Sequence, residues 1–434
     1  MNSNTLILGG GVTGLAAGFA SGFPVLEAAS FPGGICSSYY LSPNVSERLS
    51  IPLASQENYH FEIGGGHWIF GGDASILRML RSLTSVKQYQ RKSSVYFRER
   101  NLYVPYPLQN NLRYLPDLRS QALHEMSRTK SDFSTWQEWQ IQYFGETLSE
   151  LFFEPFHQLY TAGLHKSIAP QDAYKSPIDL AQVIQGAFDN NVQPAGYNAT
   201  FVYPESSLNM LAQQLASRAD VKYGQKVVKI DLCDRVIYCE NGEIYPYRHI
   251  IATLPLNRLL ELTGLEVTAP PDPYTSVLVL NLGAVRGSSC PDDHWLYNPD
   301  ARSGFHRVGF YSNVDRNFLP QSSRISGRLV SIYVERAYQG GVRPNPTEID
   351  IYTKQVIAEL QEWGYIEAVE VADPTWIDVA YTWSWPNSHW RSQSLKALEE
   401  HDIYPVGRYG RWIFQGIADS LRDGLFVGVS FKEQ

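Results

Sequence analysis

The sequence is short of cysteine, of long apolar runs and of any excess of positive charge, and each shortage removes a class of protein. Lys and Arg number 36 against 44 Asp and Glu, a formal charge of −8. That balance argues against a surface that wraps a polyanion, so no nucleic-acid partner is expected, although a small basic pocket for one phosphate ligand is compatible with it. Only four cysteines occur, Cys36, Cys233, Cys239 and Cys290, without the paired spacing of a zinc site. A chain of 434 residues needs no disulfide staple, so they read as reduced thiols of a cytoplasmic protein, and no metal is expected. No apolar stretch approaches the roughly 18–20 residues of a membrane-spanning helix. The longest, Ser276–Val285, contains Asn281 and reads as a core strand. The N-terminus shows no basic segment followed by a cleavable apolar one, which gives no sign of secretion. Aromatic side chains are plentiful instead, with 27 Tyr and 10 Trp. Most belong to a core, and the surplus suits a site that stacks on sugars or bases.

Along the chain, Thr5–Leu8 is a short apolar strand that ends in Gly9-Gly10-Gly11-Val12-Thr13-Gly14, followed by a helix-like run from Leu15 to Ala20 and a second strand, Pro24–Leu26, closing on Glu27. This is a compact βαβ opening. Residues 90–107 alternate aromatic and charged side chains, as a hairpin with one wet face does. From Leu115 to about Asp189 the pattern is largely helical. Ser206-Ser207 caps a helix running to about Arg218. Strands are expected at 226–230, 235–239 and 249–252, returning to the first sheet, and at 277–282, 307–311 and 329–334 in a second sheet. A long helix is expected from Pro346 to about Trp363, and Gly424–Gly428 resembles a buried strand. The fold class is therefore α/β: a discontinuous Rossmann-like dinucleotide-binding domain (1–88, 205–258 and 400–434), an inserted helical domain (113–195), and an antiparallel β-sheet substrate domain (89–112 and 259–399).

Gly9, Gly11 and Gly14 form G-x-G-x-x-G between a strand and a helix. The first glycine permits the tight turn, the second lets backbone approach a pyrophosphate, and the third permits close packing of helix on strand. The helix N-terminus supplies amide donors to the anion, and Glu27 stands where a carboxylate accepts ribose hydroxyls. Phe31-Pro32-Gly33-Gly34-Ile35-Cys36-Ser37-Ser38 then adds a second glycine pair. Together these segments resemble the extended signature of the amine-oxidase-like flavoproteins, in which that turn brings more backbone amides to FAD; Ser30-Phe31-Pro32 replaces the usual basic residue before the pair. FAD contacts implied by the resemblance are Gly9, Gly11, Gly14, Glu27, Gly33, Gly34, Ser37, Gly65, Gly66, Val228, Arg408 and Asp419.

Further segments narrow the resemblance. Ile63-Gly64-Gly65-Gly66-His67-Trp68 is similar to the Gly-Gly-His loop of the UDP-galactopyranose mutases, whose histidine backs onto the flavin. Pro105-Tyr106-Pro107-Leu108-Gln109, Asn198-Ala199-Thr200-Phe201, His294-Trp295-Leu296-Tyr297 and Phe305-His306-Arg307 resemble substrate-pocket segments of the eukaryotic-type enzymes. Gly407-Arg408-Tyr409-Gly410 resembles their C-terminal flavin-contact loop. The anchors follow family order across nearly the whole chain. The resemblance implies interconversion of pyranose and furanose rings of a nucleotide sugar without net oxidation, with N5 of reduced FAD as nucleophile on the anomeric carbon and an external reductant such as NAD(P)H. It gives catalytic roles to His67 and Arg307, the latter because a guanidinium fork suits phosphate oxygens and stays charged. Tyr106, Gln109, Asn198, Trp295, Tyr297, Lys175, Trp385 and Phe414 would contact the substrate.

Ordinary packing also accounts for some of these residues. His67 is compatible with a satisfied core histidine, Arg408 with a surface ion pair, and Trp295 and Tyr297 with simple alternation along a strand. The inward-facing Arg307 requires an anionic partner of some kind. The family pattern breaks at one place: the flap Pro170–Lys175 has Ala173 where an arginine is usual, and Trp385 and Phe414 replace two tyrosines. Two hydroxyl donors and a cation are thus gone from the diphosphate site, and the expected substrate is not standard UDP-galactose. The alternatives are an amine-oxidase-like oxidoreductase with the same cofactor domain, and a flavin-binding homologue that has lost catalysis.

Overall fold

The computed structural model describes residues 4–43, 45–170, 179–189, 195–196 and 198–432. Five parallel strands form the first sheet, in the spatial order Val221–Lys222, Val25–Leu26, Thr5–Leu8, His249–Ala252 and Ile403–Pro405. Thr5–Leu8 is buried at every position, as a central parallel strand covered on both faces must be. Its two neighbours, Val25–Leu26 and His249–Ala252, come from widely separated segments of the chain.

Gly424–Gly428 is not a strand. It lies inside a helix, Ile417–Lys432, whose buried residues Ile417, Ala418, Leu421, Gly424 and Gly428 recur at helical spacing while Phe426 is 73% exposed. The glycines are there for contact: a Cβ on Gly424 would lie 2.2 Å from the Thr13 carbonyl oxygen, and one on Gly428 would lie 2.5 Å from that of Ala17. The short apolar run had the composition of a strand, but close approach to helix Val12–Ser21 fixed its state. A second difference concerns Val227–Asp231 and Val236–Cys239. They leave the first sheet and join Ile244–Pro246 in a separate antiparallel sheet. The turn between the first two is too short for the crossover that parallel pairing requires. Only His249–Ala252 returns to the first sheet as expected.

The second sheet has seven strands, in the order Ile366–Thr382, Tyr274–Arg286, Leu329–Gln339, Arg307–Phe310, Trp295–Tyr297, Ser93–Phe97 and Leu102–Pro105. All its pairs are antiparallel except Trp295–Tyr297 with Ser93–Phe97. Period-two alternation divides its side chains. Leu278, Leu280, Val308 and Val334 pack with Tyr352, Val356 and Leu360 of helix Pro346–Glu362. Val277, Val279, Arg307 and Glu335 instead line a cavity. The helices Trp136–Leu148 and Glu154–Tyr160, joined through Ser149–Phe153, bring Trp136, Phe152, Phe153 and Phe156 over that cavity. The first of these helices starts with a reciprocal capping box, Thr135 with Glu138, which satisfies its first amides. Among the described residues, no helix is long and apolar enough to cross a membrane.

Candidate functional site

The two glycine turns meet. Gly33 N–H donates to the Gly10 carbonyl at 2.8 Å, and Gly11 and Gly33 form a parallel bridge. Helix Val12–Ser21 begins at Gly11 with no side-chain cap and no acidic residue in its first turn, so its leading amides and partial positive charge face the open end of the turn. Each glycine has its own reason. Gly9 sits at φ +97°, in left-handed backbone. A Cβ on Gly14 would lie 1.9 Å from the Gly9 carbonyl oxygen, whereas one on Gly11 would meet nothing within 4 Å. Gly14 therefore serves helix–strand packing, and Gly11 faces space that is left open for a ligand. Glu27 closes the turn, accepting from Gly10 N–H at 2.6 Å and Ala29 N–H at 2.7 Å. Uncapped amides that donate to a pyrophosphate, an open glycine beside them and an acid at the strand end that accepts from ribose hydroxyls are what FAD requires.

A cavity of about 640 Å³ runs from this cradle between the second sheet and the helices. Gly9, Gly11, Glu27, Gly33, Gly34, Gly66, His67, Tyr106, Asn198, Tyr297, Arg307, Arg408 and Phe414 all line it. His67 is both things at once, a hydrogen-bonded buried histidine and a wall residue. Its Nδ1 is 3.0 Å from the Ile35 carbonyl oxygen, so that nitrogen carries the proton and Nε2 the lone pair. Burial, then the charge of Arg408, holds its pKa down to about 4, and it is neutral at pH 7. Arg408 donates to the carbonyls of Gln415 and Ala380 at 3.0 Å each, and its guanidinium lies over the rings of Tyr381 and Phe414. Asn198 Oδ1 accepts from Arg91, which also lies over the Tyr106 ring, and Tyr106 in turn is 4.5 Å from Tyr297, centroid to centroid.

The other expected contacts stand apart from the cavity. Gly14 and Ser37 support the turns from behind, Ser37 through a 3.1 Å bond to the Pro32 carbonyl. Gly65, at φ +75°, presses against Glu335, where a Cβ would meet Oε1 at 2.6 Å. Trp295 is 2% exposed and packs in the core against Phe70 and Phe201, so simple strand packing accounts for it. Gln109 is buried in the turn of helix Leu108–Tyr114. Trp385 is anchored outside the cavity, its indole N–H donating to the Pro271 carbonyl at 2.9 Å. Asp419 turns to Arg422 on the surface of its own helix. Val228 is 46% exposed and lies beside a register shift, so the inward-facing member of the pair is Val227. Val228→Ala is accordingly expected to leave flavin content unchanged, measured by absorbance of the purified protein. Lys175 and Ala173 lie outside the described residues.

Sequence reasoning missed the partner of Arg307. Glu335 lies directly opposite it across the sheet, and its Oε2 accepts from Arg307 Nε at 2.7 Å and Nη2 at 2.5 Å. Burial alone would raise the Glu335 carboxyl; Arg307, and then His306, pull it down to about 2. A glutamate at the end of the apolar run Leu329–Val334 was the available signal. Phe156 and Tyr160 also line the cavity unforeseen, and so does His306, which lies in a segment that resembles a substrate pocket but had been given no role of its own.

The flavin-containing amine oxidoreductase family model matches residues 17–286. Among solved structures, reduced UDP-galactopyranose mutase aligns with 98% of this chain and 95% of its own at a TM-score of 0.81 and 22% identity. Putrescine oxidase bound to putrescine aligns with 100% of this chain and 99% of its own at 0.59 and 14%. Cyclohexylamine oxidase from Brevibacterium oxydans covers the same shares at 0.60 and 12%. These likenesses establish a shared fold, and the family match extends over most of the chain. With a glycine cradle shaped for the dinucleotide, the chain belongs to the flavin-containing amine oxidoreductase family, and its cofactor is FAD.

Proposed function

We propose that this protein is an FAD-dependent, mutase-like enzyme that interconverts the pyranose and furanose rings of a nucleotide sugar, in the cytoplasm. One observation carries the reading: the cavity that opens at the dinucleotide cradle continues past neutral His67 to an arginine, with Asn198, Tyr106 and Tyr297 on its wall. The reduced flavin, kept so by an external reductant such as NAD(P)H, supplies a nucleophilic N5 to such a reaction. The chain's own residues do the rest. Glu335 holds two nitrogens of Arg307 and so fixes the plane of the fork, whose remaining edge meets the departing diphosphate. Tyr297 and Tyr106 offer faces on which a sugar ring stacks. Phe414 adds apolar surface without a hydroxyl, which supports a substrate other than standard UDP-galactose.

The family match favours a second reading, an oxidoreductase that removes hydride from its substrate. The two are separated by product mass. Protein reduced anaerobically with dithionite is offered UDP-, GDP- and dTDP-sugars, and products are resolved by chromatography. A mutase yields a product of unchanged mass and only with the reduced protein, with UDP-galactose a poor substrate. A product lighter by two hydrogens, formed while oxidised flavin bleaches without dithionite, establishes the oxidoreductase instead. Failure of every sugar to react or to perturb the flavin spectrum removes the mutase reading.

A further inference from the structure

His306 is a cavity residue with no role in the mechanism above. It is 1% exposed; among the described residues its Nδ1 has no hydrogen-bond partner, and its Nε2 has only a long approach to Glu335. Its Nε2 lies 3.4 Å from Glu335 Oε2, the oxygen that Arg307 already occupies. Glu335 Oε1 is also buried without a partner. Buried polar atoms left unpaired cost about 1–3 kcal/mol each, and such groups mark a function or a missing ligand. One carboxylate thus stands between a permanent cation and a titratable ring.

We propose that His306 is the proton-holding partner of Arg307, and that an anion bound at Arg307 is accompanied by uptake of one proton on His306. The proposal rests on the nucleotide-sugar reading, because it takes the anion to be a diphosphate. In the free protein, Arg307 and Glu335 cancel and His306 is neutral, its pKa lowered by burial, with Glu335 opposing and Arg307 assisting. A diphosphate adds negative charge to a closed space, and protonation of His306 offsets it. The imidazolium N–H then bonds Glu335 Oε2, and the carboxylate's hold on the guanidinium loosens in favour of the phosphate. The proton comes from solvent and no covalent bond changes. Because the bound state carries more protons than the free state, affinity rises as pH falls.

The groups facing His306 do not supply this dependence. From its own strand comes Arg307, and from the neighbouring strand Glu335, already ionised, and Tyr333, whose phenol is raised by burial. The helical wall contributes Tyr160 and His157, the latter lowered by burial to about 3. Tyr381 is also raised by burial. None of the shifted groups titrates between pH 6 and 8.

The test is calorimetric titration of the oxidised FAD-loaded protein with UDP-glucose, whose phosphates are both esterified and do not titrate in that range. Heats are compared in buffers of different ionisation enthalpy. Affinity is expected to be about tenfold higher at pH 6 than at pH 8, with net proton uptake approaching one. In His306→Gln both effects vanish while binding persists, since the amide keeps the polarity and size but cannot titrate. Binding with no proton uptake in the unaltered protein overturns the proposal alone, whatever the variant's stability. Proton uptake that survives in His306→Gln also overturns it. GDP- and dTDP-glucose are titrated in the same way, and absence of binding by all three at every pH overturns it together with the nucleotide-sugar reading.

Discussion

Gly11→Val is expected to yield a folded protein that holds no FAD. The ideal Cβ at Gly11 meets no protein atom within 4 Å, and the backbone there has φ −72°, so the fold itself tolerates a side chain. The two valine methyls occupy the space through which backbone approaches the pyrophosphate. Gly14→Ala, a smaller change three residues on, has a different outcome: its Cβ would sit 1.9 Å from the Gly9 carbonyl oxygen. Strand and helix must separate, so flavin and cooperative unfolding are lost together. Chromophore released on denaturation, read alongside circular-dichroism melts, distinguishes the two variants. A Gly11→Val protein with a full complement of FAD would show that the cradle does not hold the pyrophosphate. So would an unaltered protein that remains colourless when FAD is supplied.

Arg307→Ala is expected to do more than weaken ligand binding, because it strands Glu335. That carboxylate is 2% exposed, and removing one partner of a buried pair costs about 3–5 kcal/mol. The melting temperature should fall by several degrees. A depressed folded-state pKa means that the pair's contribution is present above the ordinary glutamate value of 4.5 and fades as pH falls toward about 2. The unaltered protein thus loses this stability on acidification, and the stability deficit of Arg307→Ala narrows over the same window. Arg307→Met combined with Glu335→Gln leaves no buried charge and should recover most of the melting temperature. If the arginine also serves a diphosphate, nucleotide-sugar binding stays lost in that double variant while flavin content is intact. Recovered binding would assign Arg307 to structure alone. Arg307→Lys should rescue binding only in part, since a point charge replaces a two-pronged donor.

The cofactor half of the site was legible because its signals are local. Gly9, Gly11 and Gly14 serve backbone geometry that a few adjacent residues determine, and Glu27 follows at the end of the next strand. The ligand half was legible only in pieces. Arg307 announced the need for an anion, but Glu335 is its neighbour through sheet register, which pairs residues 28 positions apart and leaves no trace in spacing. Trp295 and Tyr297 show the same limit: both suit a wall, and only the packing around Phe70 and Phe201 decides that the first is core. The outward side chain of Val228 is likewise hidden from spacing, because a register shift beside it moves the alternation. The run Gly424–Gly428 misled because its apolar composition fits strand and helix alike, and the deciding contact lies on the helix that begins at Val12.

That contact has a consequence for how the protein is made. Strand Ile403–Pro405, the wall residues Arg408, Phe414 and Gly416, and the helix whose Gly424 and Gly428 rest on helix Val12–Ser21 all leave the ribosome after the rest of the cavity has been synthesised. Domains that fold as contiguous units are completed during translation. This one is not, because its first βαβ unit waits with an uncovered helix face until those residues emerge. FAD capture is therefore expected only after synthesis has passed them, and a chain truncated before Ile403 is expected to bind no FAD and to leave a sheet edge and apolar surface uncovered.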